Sequence, residues 1–108
     1  MSKKYKYVVN SITFREELKK IMNYGIHIVG IVLEDYNDEI DELPQSLKSL
    51  TINGNNFNQS FDKLPQSLKL LNIWGDNFNQ SLDQLPQSLK ILTINGSILI
   101  NKLPYFLI

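Results

Sequence analysis

The sequence predicts a mostly β protein of the α+β class: a short solenoid with a parallel β-sheet, capped at its N-terminus by one strand and one helix. The first observation is that LPQSLK begins at Leu43, Leu64 and Leu85, a period of 21 residues, and such a period signals a solenoid. The second is that apolar residues alternate within each copy, as in a strand with one buried face. The third is the absence of cysteine, which excludes a disulfide scaffold.

The repeated unit follows the pattern Leu-x-x-Leu-x-Ile-x-x-Asn-x-Phe. Its first clear copy contains Leu47, Leu50, Ile52, Asn55 and Phe57, its second Leu68, Leu71, Ile73, Asp76 and Phe78, and its looser third Leu89, Leu92, Ile94, Ser97 and Leu99. A shift of 21 residues toward the N-terminus aligns an earlier, disguised copy, which contains Ile26, Val29, Ile31, Glu34, Tyr36 and Ile40. The array therefore begins near Ile26, and its stacked copies form a parallel sheet of about four strands.

The residues before the array predict a cap. Residues 5–10, YKYVVN, alternate like a strand. Thr13 and Glu16 form a capping box at the start of an amphipathic helix, and Gly25 suits its end. We expect one domain, with a strand and helix cap at residues 1–25 and about four 21-residue repeats with a shortened, apolar C-terminal end at residues 26–108.

Strands and return segments have separate expected roles. The outward face of the sheet is expected to carry, strand by strand, Ile28, Gly30 and Val32, then Ser49, Thr51 and Asn53, then Leu70, Asn72 and Trp74, then Ile91, Thr93 and Asn95. The return segments each contain a proline, which predicts turns, extended segments or a brief helical turn. Their expected interior residues are Phe57, Phe61, Phe78 and Leu82. Asn58 and Asn79 are expected to be buried amides that satisfy turn backbone groups.

The end of the array departs from the repeat. The third copy lacks the NFNQS segment, and LPQSLK becomes LPYFLI at Leu103, 18 residues after Leu85. The apolar residues Tyr105, Phe106 and Ile108 are expected to fold back as a lid over the last coil. Two alternatives stay open: these residues contact a second subunit in a homodimer, which an uncapped strand edge would favour, or the end is a truncation.

FNQS, LPQSLK and LTIxG at this spacing resemble FNIP-repeat proteins, a leucine-rich-repeat-like family abundant in social amoebae and in giant amoeba-infecting viruses (Mimivirus-like). The resemblance covers most of residues 26–108 and is strong from Leu43 to Asn95. Relatives carry Phe-Asn followed by Ile or Pro, whereas here Gln-Ser follows Phe57-Asn58 and Phe78-Asn79, which looks like the viral branch.

The resemblance implies a short leucine-rich-repeat-like solenoid and a protein-protein interaction role, and the family offers no catalytic residues to place. Many relatives carry an F-box, which recruits a ubiquitin ligase, before their repeats. Only about 25 residues precede this array, too few for that helical domain. The function expected from the resemblance is a viral adaptor that acts on host proteins.

No catalytic, metal or cofactor site is predicted, and we expect no enzyme. The only histidine, His27, aligns with Lys48, Lys69 and Lys90 at a solvent-facing strand entry, which favours a surface role. The acidic run EDYNDEIDE lacks the Gly and Glu that a calcium loop needs at its sixth and twelfth positions. The recurring glycines, one in each coil, are interpreted as turn residues and not as a phosphate loop.

Trp74 is the strongest sequence signal for binding. It is the only tryptophan. Its neighbours in the predicted column are Asn53 and Asn95, so core packing does not require an aromatic residue at this position. Exposed aromatic residues commonly anchor protein interfaces. The predicted protein-binding residues are Thr51, Asn53, Leu70, Asn72, Trp74, Thr93 and Asn95. The plain alternative is that Trp74 only covers its surface neighbours.

Two other functions stay open. The chain could be a structural or self-assembling subunit that uses Tyr105, Phe106 and Ile108 as oligomer contacts. It could also bind RNA weakly through the column Lys48, Lys69 and Lys90, although eleven basic and eleven acidic residues cancel and make nucleic acid an unexpected partner.

The location is expected to be intracellular, in the host cytoplasm if the protein is viral. The N-terminus lacks the apolar region of a signal peptide, and no apolar run approaches the ~20 residues that span a bilayer. We therefore expect a soluble monomer or homodimer with an unidentified protein partner and no contact with membranes.

Overall fold

The structure, a computed structural model, describes residues 16, 19, 20, 23, 28–37 and 39–101 in full, and residues 4–10 and 27 by their backbone. Its strands are β1 (Lys4–Asn10), β2 (His27–Glu34), β3 (Ser49–Asn53), β4 (Leu70–Trp74), β5 (Ile91–Ile94) and β6 (Ser97–Asn101). All six form one sheet in chain order. The strands from β1 to β5 are parallel, and β6 is antiparallel to β5.

Three return segments carry the chain from β2 to β3, from β3 to β4 and from β4 to β5. Each brings the chain back to start the next parallel strand, so these segments and strands form a β-solenoid of about three turns. The predicted mostly β class, the parallel sheet and the solenoid are confirmed.

The predicted helical cap is not confirmed. Of the segment expected to form it, Glu16, Lys19, Lys20 and Asn23 are described; all four have helical backbone and exposed side chains. The other residues of the predicted helix, including Thr13 of the capping box, lie outside the described residues. The helix therefore stays a prediction.

The core lies between the sheet and the return segments. On the sheet side it is aliphatic, because alternate residues of each strand face inward, and Leu50, Ile52, Leu71 and Ile73 are 0% exposed. On the return side it is aromatic. The ring centroid of Phe57 lies 6.4 Å from that of Tyr36 and 5.9 Å from that of Phe78, so aromatic residues from three successive coils form one continuous column.

Backbone hydrogen bonds join each coil to the next at the start of the strands. The Lys69 N–H donates to the Lys48 carbonyl at 2.8 Å, and the Leu70 N–H donates to the same oxygen at 3.0 Å. The Lys69 carbonyl repeats both bonds with Lys90 and Ile91. Each stacked lysine backbone is thereby fixed above the previous one.

The serine of LPQSLK adds a side-chain bond in every coil. The hydroxyl groups of Ser46, Ser67 and Ser88 donate to the carbonyls of Ile28, Leu47 and Leu68 at 2.6, 2.6 and 2.7 Å. The turn itself closes within the coil, where the Leu47 N–H donates to the Pro44 carbonyl at 3.1 Å, with equivalent bonds in the next two copies. LPQSLK therefore encodes a turn and a coil-to-coil bond together.

The glycines after β3 and β4 are required by close backbone approach. A β-carbon on Gly75 would lie 2.2 Å from the Gly54 carbonyl oxygen, and one on Gly54 would lie 2.8 Å from the Tyr36 carbonyl oxygen. The predicted role as turn residues therefore needs a correction for these two positions: adjacent coils touch there, and only glycine leaves room. Gly96 is different, because its φ is +85°.

The first coil, counted from β2 to β3, is two residues shorter than the predicted 21-residue repeat. Ile31 pairs with Leu50, an offset of 19 residues, whereas Leu50 pairs with Leu71, an offset of 21. The predicted alignment of Val29 with Leu50 is therefore wrong. The same side chains of β2 still face the core, because side-chain direction in a strand repeats every two residues and a shift of two residues leaves it unchanged.

The shorter offset corrects two predictions at the start of β2. Ile28, expected on the outward face, is buried at 1% exposure, because Val29 is bulged out of the ladder with β1. The Val29 carbonyl accepts the Lys48 N–H at 2.8 Å, so Val29, not His27, precedes Lys48 in the lysine column. Gly30 aligns with the outward-facing strand positions, as expected.

The last copy does not continue the repeat after β5. Asn95 and Gly96 have φ values of 50° and 85° and form a two-residue turn that reverses the chain into β6. The predicted third-copy positions Ser97 and Leu99 are therefore in an antiparallel strand, where Ser97 pairs with Ile94, and do not follow the pattern of a return segment.

Two predictions about the interior of the return segments need correction, and for Leu82 the reason is that no further return segment in the described chain covers it. Phe61 is 1% exposed and packs on Phe78 with ring centroids 5.0 Å apart, but its equivalent Leu82, predicted to be interior, is 36% exposed. Asn58 and Asn79 are also exposed. Asn58 still joins two coils, since its Oδ1 accepts the Asn79 N–H at 2.7 Å.

We predict that Gly75→Ala destabilises the fold by about 2–3 kcal/mol, because the new methyl group forces two backbones apart. Urea unfolding measures the change. Asn55→Ala, at an exposed position in the neighbouring turn, is the control and is expected to change stability by less than about 0.5 kcal/mol. Equal stability of Gly75→Ala and the natural chain would contradict the close approach.

Candidate protein-interaction face

The outward face of the sheet carries three columns of side chains. The strand register places Ser49, Leu70 and Ile91 in the first column, Thr51, Asn72 and Thr93 in the second, and Asn53 and Trp74 in the third. The inward neighbours of these residues are core residues, so the predicted alternation of the two faces holds through β3, β4 and β5.

The second column is polar and internally bonded. The Thr93 hydroxyl donates to Asn72 Oδ1, and Thr51 stands on the other side of Asn72 in the ladder. All three side chains are half-buried. The bond between Thr93 and Asn72 directs the amide oxygen toward β5, so the NH₂ group is at the other end of the amide and keeps its capacity to donate.

Trp74 is half exposed, at 49%, and lies at the end of β4. A β-carbon on Gly96 would lie 3.6 Å from Trp74 Cη2 and 3.8 Å from Cζ3. One edge of the indole is therefore close to Gly96 in the turn between β5 and β6, and about half of the residue is open to solvent. This contact gives Trp74 a structural partner that its predicted column, with Asn53 and Asn95 as neighbours, did not include.

Asn53 and Asn95, predicted to bind alike, have different surroundings. Asn53 Nδ2 donates to Glu34 Oε1 at 3.2 Å at an exposed position. Asn95 uses both ends of its amide on one residue: its Oδ1 accepts the Gly75 N–H at 2.8 Å, and its Nδ2 donates to the Gly75 carbonyl at 3.1 Å.

The Asn95 amide takes the place of a missing backbone. One coil earlier, the Gly54 N–H donates to the Trp74 carbonyl at 2.9 Å. The equivalent carbonyl for Gly75 would be that of Asn95, whose backbone has turned away into the hairpin. The side chain supplies the acceptor, and Gly75 is buried, so an unmade bond there would be costly.

Sequence reasoning missed Ile98. It pairs with Thr93 across the hairpin, which puts it on the outward face beside the polar column, and it is 62% exposed. The signal that could have found it is the dipeptide Asn95-Gly96, a strong hairpin signal between apolar runs. Tyr105, Phe106 and Ile108, predicted as oligomer contacts, lie outside the described residues.

The described part of the chain has small clefts on the return side. One of about 190 Å³ is lined in part by Glu39, Asp41 and Lys63, and another of about 130 Å³ in part by Tyr36 and Gly54. Both are below the ~300–1,000 Å³ of typical small-molecule pockets. Among the described residues, His, Cys, Asp and Glu form no group of three that could hold a metal ion.

The described residues also include no helix of the length and apolar character that a membrane span requires.

The fold and its outward face define a class: a β-solenoid repeat protein whose sheet presents side chains that the core does not use. The sequence pattern of the family described as FNIP Repeat matches residues 36–63 and 57–97, more than half of the chain. The chain belongs to the FNIP-repeat family. Comparisons with curated proteins and with solved structures gave no match.

We predict that Asn95→Gly destabilises the protein by about 1–3 kcal/mol in urea unfolding, because it keeps the positive φ but leaves the buried Gly75 N–H without its acceptor. The matched control is Asn53→Gly at the equivalent place in an inner coil, where the amide donates a hydrogen bond to Glu34 at the surface. The expected ranking is a larger loss for Asn95→Gly than for the control; the reverse ranking would contradict the capping role.

Proposed function

We propose that this protein is a non-enzymatic protein-protein interaction module that binds its partner through the outward face of the sheet. Membership of the FNIP-repeat family supports a repeat module, and repeat solenoids commonly use their extended sheet surfaces for binding. A finer role, as a viral adaptor that acts on host proteins, rests on the family resemblance and is part of the proposal.

The single observation that carries the proposal is the exposure of Trp74. Half of its surface is open to solvent, although a tryptophan has more apolar area to bury than any other residue of the sheet. Aromatic residues with a fixed position and an open face are the usual anchors of protein interfaces. The turn at Gly96 lies beside one edge of the ring, and a side chain whose motion is restricted before binding loses less entropy on binding.

Ile98 supplies a second apolar contact on the same face. It is 62% exposed and follows the turn on which Trp74 packs. The Asn72 amide, on the same strand as Trp74, and the Thr93 hydroxyl, opposite Ile98, also lie on this face and can orient a bound segment by hydrogen bonds. The face thus combines apolar anchors with fixed polar groups, as interface centres do.

We predict that peptides selected from a displayed library on the natural chain lose about tenfold or more in affinity for Trp74→Ala and for Ile98→Ser. Leu82→Ser is the matched control, since Leu82 is exposed on the return side, and should keep affinity within about twofold. Because Trp74 is the only tryptophan, its fluorescence should shift to shorter wavelength on binding. Peptides that bind Trp74→Ala as well as the natural chain would contradict the proposed face.

A structural, self-assembling subunit is the second candidate. The observation that favours it is the exposure of Ile98 and Leu99, 62% and 51%, on the strand at the end of the described sheet, because an apolar edge strand can pair with another chain. Its sequence-predicted contacts, Tyr105, Phe106 and Ile108, come a few residues after β6 in the chain.

Light scattering over a concentration series tests this second candidate. A self-assembling chain is expected to give the mass of a dimer that falls to a folded monomer in the Tyr105→Ser, Phe106→Ser double variant. A monomeric mass for both proteins at every concentration would exclude assembly and leave the outward face as the proposed binding surface. Far-ultraviolet circular dichroism checks that the double variant is folded.

A further inference from the structure

We infer that the column of Lys48, Lys69 and Lys90, here called the lysine edge, is a second docking surface that takes an acidic peptide segment in extended conformation. It lies at the amino ends of β3, β4 and β5. Trp74 lies at the carboxyl end of β4, five residues from Lys69, or roughly 16 Å along the strand. The lysine edge is therefore separate from the outward face and does not depend on the function proposed for that face.

Backbone hydrogen bonds between coils fix the main-chain position of each lysine. The bonds from Lys69 N–H to the Lys48 carbonyl and from Lys90 N–H to the Lys69 carbonyl are both 2.8 Å. Stacked lysines in a parallel ladder have Cα atoms about 4.8 Å apart, so three ammonium groups project from a short, straight line. Lys48 and Lys69 are exposed, and Lys90 is half-buried.

The lysine edge has no negative charge of its own. Leu43–Asn53, Leu64–Trp74 and Leu85–Asn95 each contain one charged residue, and in each it is the lysine. Asp62, Asp76 and Asp83, by contrast, lie in the return segments. No described carboxylate forms an ion pair with these lysines. Like charges so close repel one another, and an anionic partner would relieve that repulsion.

The exposed glutamines Gln45, Gln66 and Gln87 add a polar column beside the lysines. Each lies three residues before its lysine, in the turn that Pro and Leu close. Their side-chain amides make no hydrogen bond to the described part of the chain. Amides can both donate to and accept from a peptide backbone, while the lysines meet its carboxylates.

The chemistry of the lysine edge favours an acidic peptide over nucleic acid. Side chains on one face of an extended peptide repeat about every 6.6 Å, a spacing that flexible lysines on a base of about 4.8 Å can reach. Single-stranded nucleic acid binds through aromatic stacking as well as charge. The lysine edge and the Gln and Ser residues that precede it in each LPQSLK copy include no aromatic residue.

The test is fluorescence anisotropy of labelled deca-glutamate with the full chain at low salt. The triple variant Lys48→Gln, Lys69→Gln, Lys90→Gln is expected to lose about tenfold in affinity. The matched control changes the same charge at exposed lysines elsewhere, Lys19→Gln, Lys20→Gln, Lys63→Gln, and should stay within about twofold. Equal losses in both triples would overturn the proposal, since only net charge would then matter.

Three further measurements distinguish the remaining alternatives. The first is the affinity for labelled decauridylate. If decauridylate binds as tightly as deca-glutamate and loses affinity in the same variants, the choice of an acidic peptide is overturned. If the lysine-edge triple does not fold, amide shifts of the natural chain titrated with deca-glutamate decide: shifts centred on Lys48, Lys69 and Lys90 support the site, and shifts elsewhere overturn it. Trp74→Ala should leave deca-glutamate affinity unchanged, so loss of the outward face and loss of the lysine edge are told apart.

Discussion

Backbone stacking of one coil on the next is the constraint on which the rest of this structure depends. The Lys48 and Lys69 carbonyls each accept two N–H groups of the following coil, the serine hydroxyls reach back one coil, and Gly54 and Gly75 touch backbone to backbone. These contacts act at different points of the same 21-residue circuit. A change of length in one coil would therefore break them together unless the register could be restored.

The strands of the interior coils could be predicted from the sequence because they follow the two-residue alternation of buried and outward-facing side chains. Alternation alone placed Leu50 and Ile52 inside and Trp74 outside. The first coil was predicted less well, because the 21-residue alignment holds at Tyr36, which packs on Phe57, and fails earlier in β2. A two-residue loss between those points leaves the pattern of buried residues intact, so the sequence carries little trace of it.

The end of the array could not be predicted because the dipeptide Asn-Gly adopts two different backbone conformations in this chain. Asn53-Gly54 and Asn95-Gly96 both come at the end of a strand, yet only the second has positive φ values and forms a hairpin. The difference lies in the residues after each dipeptide, since Asn55 to Phe57 lead into another return segment and Ser97 to Asn101 form a strand. The surroundings of Trp74, Asn95 and Ile98 all depend on that hairpin, and the candidate site was predicted only where it lies on regular strands.

The Asn95 amide also shows how such an array acquires a definite size. Each inner coil presents donors to the coil before it and acceptors to the coil after it, so nothing within the inner coils determines how many there are. The side chain that substitutes for the next carbonyl makes termination a local event, confined to a single turn. Copies can therefore be gained or lost between β2 and β5 by duplication or deletion of a unit, with both ends unchanged, and the lysine column and the aromatic column would lengthen or shorten in step.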